Sequence, residues 1–204
     1  MPSDISQLAK AIARHKTMIA QPDRAYISPE DYLAAEAAAI VKHEYHDGEI
    51  FAMAGASEEH NLIGGNIYTL LRAHLRGSPC KTFFAEVKVR VEMANRFYYP
   101  DLLVTCDVRD REDRYVKKYP KLIVEVLFDS TEAFDRGKKF DHYCELDSLE
   151  EYVLVNQDRT QVEVFRRNDD DTWTLKRYGA GDTVRFTSLD FDCPITEIYT
   201  DVAL

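Results

Sequence analysis

Glu125 lies inside the run Lys121-Leu-Ile-Val-Glu-Val-Leu127, whose other members are the residues expected when both faces of a β-strand are covered. A carboxylate there loses several kcal/mol of hydration unless a cation, a positive side chain or hydrogen-bond donors replace the water. Asp101 opens a second apolar run, Tyr98-Tyr-Pro-Asp-Leu-Leu-Val104. Two acidic groups on neighbouring core strands are hard to explain by folding alone and point to a metal site. Mg2+ and Mn2+ favour hard oxygen ligands, with one or two carboxylates and the remaining positions filled by water and phosphate. Asp101, Glu125 and the backbone carbonyl of Val126 could provide such a set. The matching chemistry is activation of water and stabilisation of charge on a phosphate oxygen.

The segment after Glu125 places Asp135, Lys139 and Tyr143 at i, i+4 and i+8, on much the same face of a helix. Lys139 could point back to the carboxylates as an electrophile or as an orienter of the attacking water. The alternative is an exposed Asp135–Lys139 pair, worth only a few tenths of a kcal/mol.

The elements that must position these groups can be read in order. Asp4 to about Met18 has amphipathic helical spacing, and Gln21-Pro-Asp-Arg breaks it. Ser28-Pro-Glu-Asp31 resembles an N-cap with proline in the first turn of a helix reaching about Ala39. Asp47-Gly48 predicts a hairpin within His43–Met53. A helix follows from about Glu58 to Arg76, ended by Gly77-Ser-Pro79. Strands are expected over Lys81–Glu92, Phe97–Thr105 and Leu122–Leu127, with a mobile or solvent-facing charged loop from Asp107 to Lys118. Asp101 follows Pro100, which favours a strand start, an edge or a bulge. A helix from about Thr131 to Leu146 precedes four strands, Glu151–Asn156, Gln161–Arg167, Trp173–Tyr178 and Thr183–Phe186. The pattern indicates an α/β or α+β fold with one mixed sheet.

At 204 residues the chain is long enough for one substantial domain, 26–204, behind an N-terminal helical extension, 1–25. No apolar run approaches the roughly 18 residues of a membrane span. Met1-Pro-Ser-Asp-Ile-Ser lacks the features of a signal peptide, so a cytoplasmic address is expected. Cys80, Cys106, Cys144 and Cys193 form no CxxC pair and are expected to be reduced, structural residues. The net charge of −10 does not advertise a nucleic-acid binder. It does not exclude one, because local basic clusters matter more than the total.

Taken together, Tyr99-Pro-Asp-Leu-Leu-Val104, Pro120-Lys-Leu-Ile-Val-Glu-Val-Leu127 and Ser130-Thr131 with Asp135, Lys139 and Tyr143 resemble the Uma-two family. This is a bacterial group of endonuclease-like proteins in the PD-(D/E)XK, restriction-endonuclease-like superfamily. His43-Glu-Tyr-His-Asp-Gly-Glu-Ile50 resembles the family's entry hairpin and Glu58-Glu-His-Asn61 its next helix start, so the match runs from about Tyr26 to Phe165. The resemblance implies a mixed central β-sheet flanked by helices, with extra C-terminal strands. It makes Asp101 the PD aspartate and Glu125 the (D/E) position, with Leu127 where the superfamily has lysine. Lys139 then matches a lysine supplied from the following helix, and Glu44 an acidic position that can join the metal site. The other account of Glu44 is a hairpin surface charge. Phe128-Asp129 stands where the family often has Ser-Pro, so the entry to the Lys139 helix is expected to differ.

Other candidates for contact with substrate are His60, Lys88, Arg136 and Lys138. His60 could instead cap or decorate its helix, and Lys88 with Glu86 could be solvated strand charges. Arg136 and Lys138, with Arg109, Arg111, Arg114, Lys117 and Lys118, could contact a phosphate backbone or simply be solvated. The function that follows is a Mg2+- or Mn2+-dependent endonuclease acting on DNA, expected as a homodimer. The alternatives are a catalytically inactive binding or regulatory module of the same fold, and hydrolysis of a smaller nucleotide or phosphate ester. Val153, Leu154, Val162, Val164, Phe165 and Trp173 could form a dimer interface, or complete the core.

Overall fold

A computed structural model describes residues 26–204; the expected N-terminal helix and extension fall outside them. Ser28 caps α1 (Pro29–Glu36) by accepting from the Asp31 N–H at 3.1 Å. Strands β1 (His43–His46) and β2 (Glu49–Ala52) form the expected hairpin. Asp47 and Gly48 turn it with φ of 48° and 95°, the left-handed conformation such a turn requires. A side chain at Gly48 would also collide with the Tyr26 ring.

The first two strands predicted after α2 (Glu58–His74) each divide in two. The first becomes β3 (Lys81–Phe84) and β4 (Lys88–Val91), the second β5 (Arg96–Tyr98) and β6 (Leu102–Thr105). Ala85 with φ of 53° breaks one, and Tyr99-Pro100-Asp101 breaks the other. The Ala85 N–H donates to the Asp101 carbonyl at 2.8 Å, so the two bends are tied together. The expected single mixed sheet is therefore corrected to two principal sheets. With β7 (Val116–Lys117), one has the order β2-β1-β5-β4-β7. The other, with β8 (Leu122–Leu127), β9 (Glu151–Asn156), β10 (Gln161–Arg167) and β11 (Trp173–Gly179), has the order β11-β10-β9-β8-β6-β3. A separate ribbon joins β12 (Thr183–Phe186) to β13 (Phe191–Pro194), which was not expected.

β8 is central, antiparallel to β6 and parallel to β9, and all six of its residues are buried. Alternation sends Leu122, Val124 and Val126 to a core closed by Ile63, Ile67 and Leu71 of α2. Ile123 and Leu127 face the opposite core with Tyr143, Leu146 and Tyr152. Val153, Leu154, Val162 and Val164 are core residues, while Phe165 and Trp173 pack against the second core.

The helical segment after β8 comprises α3 (Glu132–Phe134), a π turn (Asp135–Lys139) and α4 (Phe140–Cys144). A short α5 (Ile195–Ile198) packs back on the first core. The expected loop between β6 and β8 is largely solvent-facing, but buried anchors tie it down. Buried Asp110 accepts from Thr105 Oγ1 at 2.6 Å and from the Lys118 N–H at 2.8 Å, and buried Lys117 donates to the Asp110 carbonyl at 2.6 Å. Arg109 is paired with Asp107 and Lys118 with Glu92.

Cys80 and Cys106 form a disulfide, correcting the expectation of four reduced thiols. The cause is register: Lys81 pairs with Thr105 across β3 and β6, so the next residues outward meet. A bridge between residues 26 apart in sequence is expected to stabilise the fold by about 2–4 kcal/mol. Urea unfolding with and without reductant measures this, and superimposed curves would contradict it.

Candidate active site

Asp101 stands one residue before β6, directly beyond the Leu102–Val124 pair, which brings it opposite Glu125. The Val126 N–H donates to Asp101 Oδ2 at 2.7 Å, fixing the carboxylate beside β8 where β6 has stopped supplying partners. His60, in the first turn of α2, places Nε2 3.2 Å from the same oxygen. Its helix is capped by Ser57, which accepts from the His60 N–H at 3.1 Å and donates to Gln157 Oε1 at 2.8 Å.

Glu125 is 4% exposed, and its water has been replaced by protein groups. Lys139 Nζ lies 2.8 Å from Oε1, and the buried Tyr143 hydroxyl donates to the same oxygen at 3.2 Å. Lys139 is also 3.3 Å from Asp135 and 3.8 Å from Glu44, so three carboxylates surround one ammonium. Burial pushes the Glu125 carboxyl well up, against the opposing pull of Lys139. For Lys139, burial disfavours the proton, but Glu125 and Glu44 outweigh it and hold the ammonium above its ordinary range.

The π turn aims these groups. Thr131 Oγ1 donates to Asp135 Oδ2 at 2.8 Å, and the Tyr152 hydroxyl donates to the Asp135 carbonyl at 3.0 Å. Such wide turns recur at functional sites because they redirect side chains within a helix. With this entry Lys139 reaches Glu125 despite Phe128-Asp129.

Glu44 reaches the cluster from the other sheet. It accepts the Tyr99 N–H at 3.2 Å, and His46 Nε2 lies 3.3 Å from its second oxygen. Burial opposes its charge, but Lys139, His46 and Tyr99 overcome this and hold the carboxyl below its ordinary value. His46 was not expected at the site, whereas Tyr143, expected on the face of Lys139, meets Glu125 there. The two-residue spacing from Glu44 to His46 was the available signal for the first.

The remaining candidates lie elsewhere or are engaged. Lys88 is buried and donates to the Tyr99 hydroxyl at 3.0 Å, which donates to Glu36 at 3.0 Å. Burial lowers its pKa. Arg136 is ion-paired to Glu132 at 2.7 Å and to buried Glu163. Lys138 is exposed on the π turn. A separate cleft of about 630 Å3 is lined in part by Arg109 and Lys118 of the charged loop, and by none of Asp101, Glu125, Lys139 and Glu44.

The donor set suits a hard cation in a particular way. Asp101 Oδ1 and Glu125 Oε2 accept no hydrogen bond from the described residues, whereas the other oxygen of each carboxylate has two close partners. No group of three His, Cys, Asp or Glu side chains among the described residues is arranged to hold a metal ion. Two carboxylates and a backbone carbonyl, completed by water and phosphate, nevertheless meet the needs of Mg2+.

The mixed sheets and flanking helices define a restriction-endonuclease-like fold. A crystal structure described as "a putative nuclease belonging to DUF820", from Anabaena variabilis ATCC 29413, superposes with a TM-score of 0.68. It is 14% identical and covers 81% of this chain and 93% of its own, a likeness of fold. The chain belongs to the Uma2 family, described as "Putative restriction endonuclease", whose model matches residues 29–195. It is 38% identical over 177 residues to "Uncharacterized protein slr1290" of Synechocystis sp. (strain ATCC 27184 / PCC 6803 / Kazusa), covering 87% of this chain and 93% of the relative. A second protein of that organism, "Uncharacterized protein sll1609", is 30% identical over 151 residues, covering 73% and 85%. No helix among the described residues is long and apolar enough to cross a membrane.

Proposed function

We propose that this chain is a Mg2+- or Mn2+-dependent endonuclease that hydrolyses DNA phosphodiester bonds. The observation that carries the reading is the Asp101–Glu125 pair, each carboxylate held through one oxygen with the other left for a ligand, and Lys139 in contact with Glu125. Family membership supports the reaction class. Asp101, Glu125 and the Val126 carbonyl would hold the ion, with Glu44 near enough to Lys139 to complete the charge balance. When bound, such an ion supplies Lewis-acid charge at the phosphoryl group and lowers the pKa of water. Lys139 keeps its proton in this acidic surrounding and orients the attacking water or a non-bridging phosphate oxygen. Asp101 and Glu125 fix the direction of approach, and the buried wall of Leu127, Tyr143 and Tyr152 limits competing water.

The experiment is nicking of supercoiled plasmid with Mg2+ or Mn2+, against the same reaction in EDTA. Metal-dependent conversion to open-circle or linear DNA is the expected result; equal product in EDTA would contradict it. A second reading, a binding module that retains the fold, is favoured by how fully Lys139 is engaged by its three carboxylates. DNA binding without cleavage under any divalent ion would select it. Working as a homodimer would place two such sites on opposite strands, and sedimentation of the protein with and without duplex DNA tests that assembly.

A further inference from the structure

Resting on the metal-site reading above, we propose that His60 and Tyr143 are positioning residues, one for each carboxylate. His60 comes from the first turn of α2 and Tyr143 from α4; the Tyr143 hydroxyl donates to Glu125 at 3.2 Å, and His60 Nε2 lies at ion-pair distance, 3.2 Å, from Asp101. Each approaches the oxygen already held by another group: Asp101 Oδ2, which the Val126 N–H holds, and Glu125 Oε1, which Lys139 holds. Asp101 Oδ1 and Glu125 Oε2 accept no hydrogen bond from the described residues. Holding one oxygen of a carboxylate at two points removes the rotation that would exchange it with the other. The free oxygen is thereby presented to an incoming cation.

Both positioning groups are themselves restrained. The His60 ring lies 5.7 Å from Phe128, and its helix is tied through Ser57 to Gln157 beyond the end of β9. Tyr143 is fully buried, with its ring 5.3 Å from Tyr98 and 5.5 Å from Tyr152. A role limited to packing would not need the phenolic oxygen, which a Tyr143→Phe change removes while leaving the ring.

Calorimetric titration of the full chain with Mn2+ alone tests the assignment without relying on turnover. Outer groups that orient metal ligands typically contribute about 10- to 100-fold in metal affinity. His60→Ala and Tyr143→Phe are each expected to weaken Mn2+ binding by that amount. His60→Gln, whose amide can donate to Asp101, should recover most of the loss. Circular dichroism and thermal unfolding of each variant establish that it is folded. Wild-type affinity in both His60→Ala and Tyr143→Phe would overturn the positioning role while leaving the metal site standing. Absence of Mn2+ binding by the unaltered protein would overturn the metal-site reading and this inference with it.

Discussion

Replacing Lys139 by methionine should destabilise the fold by about 3–5 kcal/mol, the usual consequence of stranding one member of a buried ion pair. Lys139 is 6% exposed and its ammonium stands among Glu125, Asp135 and Glu44, so the variant leaves three carboxylates facing one another. The loss should depend on pH. Burial already pushes the Glu125 carboxyl up against the pull of Lys139. Without Lys139 the folded-state value rises further above the unfolded one, so the folded chain binds more protons. That favourable protonation is fully present below the unfolded value, about 4.3, and is lost as pH rises through the folded value. The gap from wild type therefore widens between acidic and neutral pH. Adding Glu125→Gln to Lys139→Met should recover part of the stability. Urea unfolding across pH measures all three proteins. A Lys139→Met variant within about 1 kcal/mol of wild type, the range of a weak exposed pair, would contradict the geometry.

Asp101→Asn and Glu125→Gln should each reduce metal-dependent plasmid nicking by roughly a thousandfold or more, as expected for groups that act as one unit. The substitutions keep nearly the same volume and remove the anionic oxygens. After Asp101→Asn the new side chain could still accept the Val126 N–H through its oxygen, but its amide nitrogen would replace the free Oδ1. Glu44→Gln should have a smaller effect, because Glu44 contacts Lys139 at 3.8 Å and is not opposite Asp101 in the strand register. Nicking rates measured at saturating Mn2+ separate loss of ion affinity from loss of the chemical step. Undiminished nicking by both Asp101→Asn and Glu125→Gln would remove these residues from the mechanism.

The central elements were legible because their signals are local. Leu122–Leu127 combines length, β-branched residues and one misplaced carboxylate, and Asp47-Gly48 marks a turn that few other dipeptides make. Asp101 and Glu125 were legible for a similar reason, each a carboxylate in or at the start of an apolar run, whereas Lys139 fitted an exposed pair with Asp135 equally well and was singled out by the family resemblance. What escaped was set by distant pairing. The division of Lys81–Glu92 depends on Ala85 adopting a left-handed conformation, for which alanine gives no advance signal. The Cys80–Cys106 bridge depends on the register of β3 against β6, and two cysteines 26 apart do not disclose it. Lys117 reads as a loop charge until β7 pairs with β4 and draws it under the Asp110 carbonyl. The π turn was likewise invisible: an ordinary helix and a widened one share the same amphipathic spacing over so short a stretch.

The β1–β2 hairpin lies in the smaller sheet with α1 packed on it, so replacing the two together as a cassette would leave β6 and β8 of the larger sheet in place. Such an exchange would not be silent. Glu44 would leave with the cassette, and with it one of the three negative charges that keep Lys139 protonated. The charge around Lys139 is thus set in part from the smaller sheet, while Asp101, Glu125 and Lys139 belong to the larger sheet and the helical segment after β8.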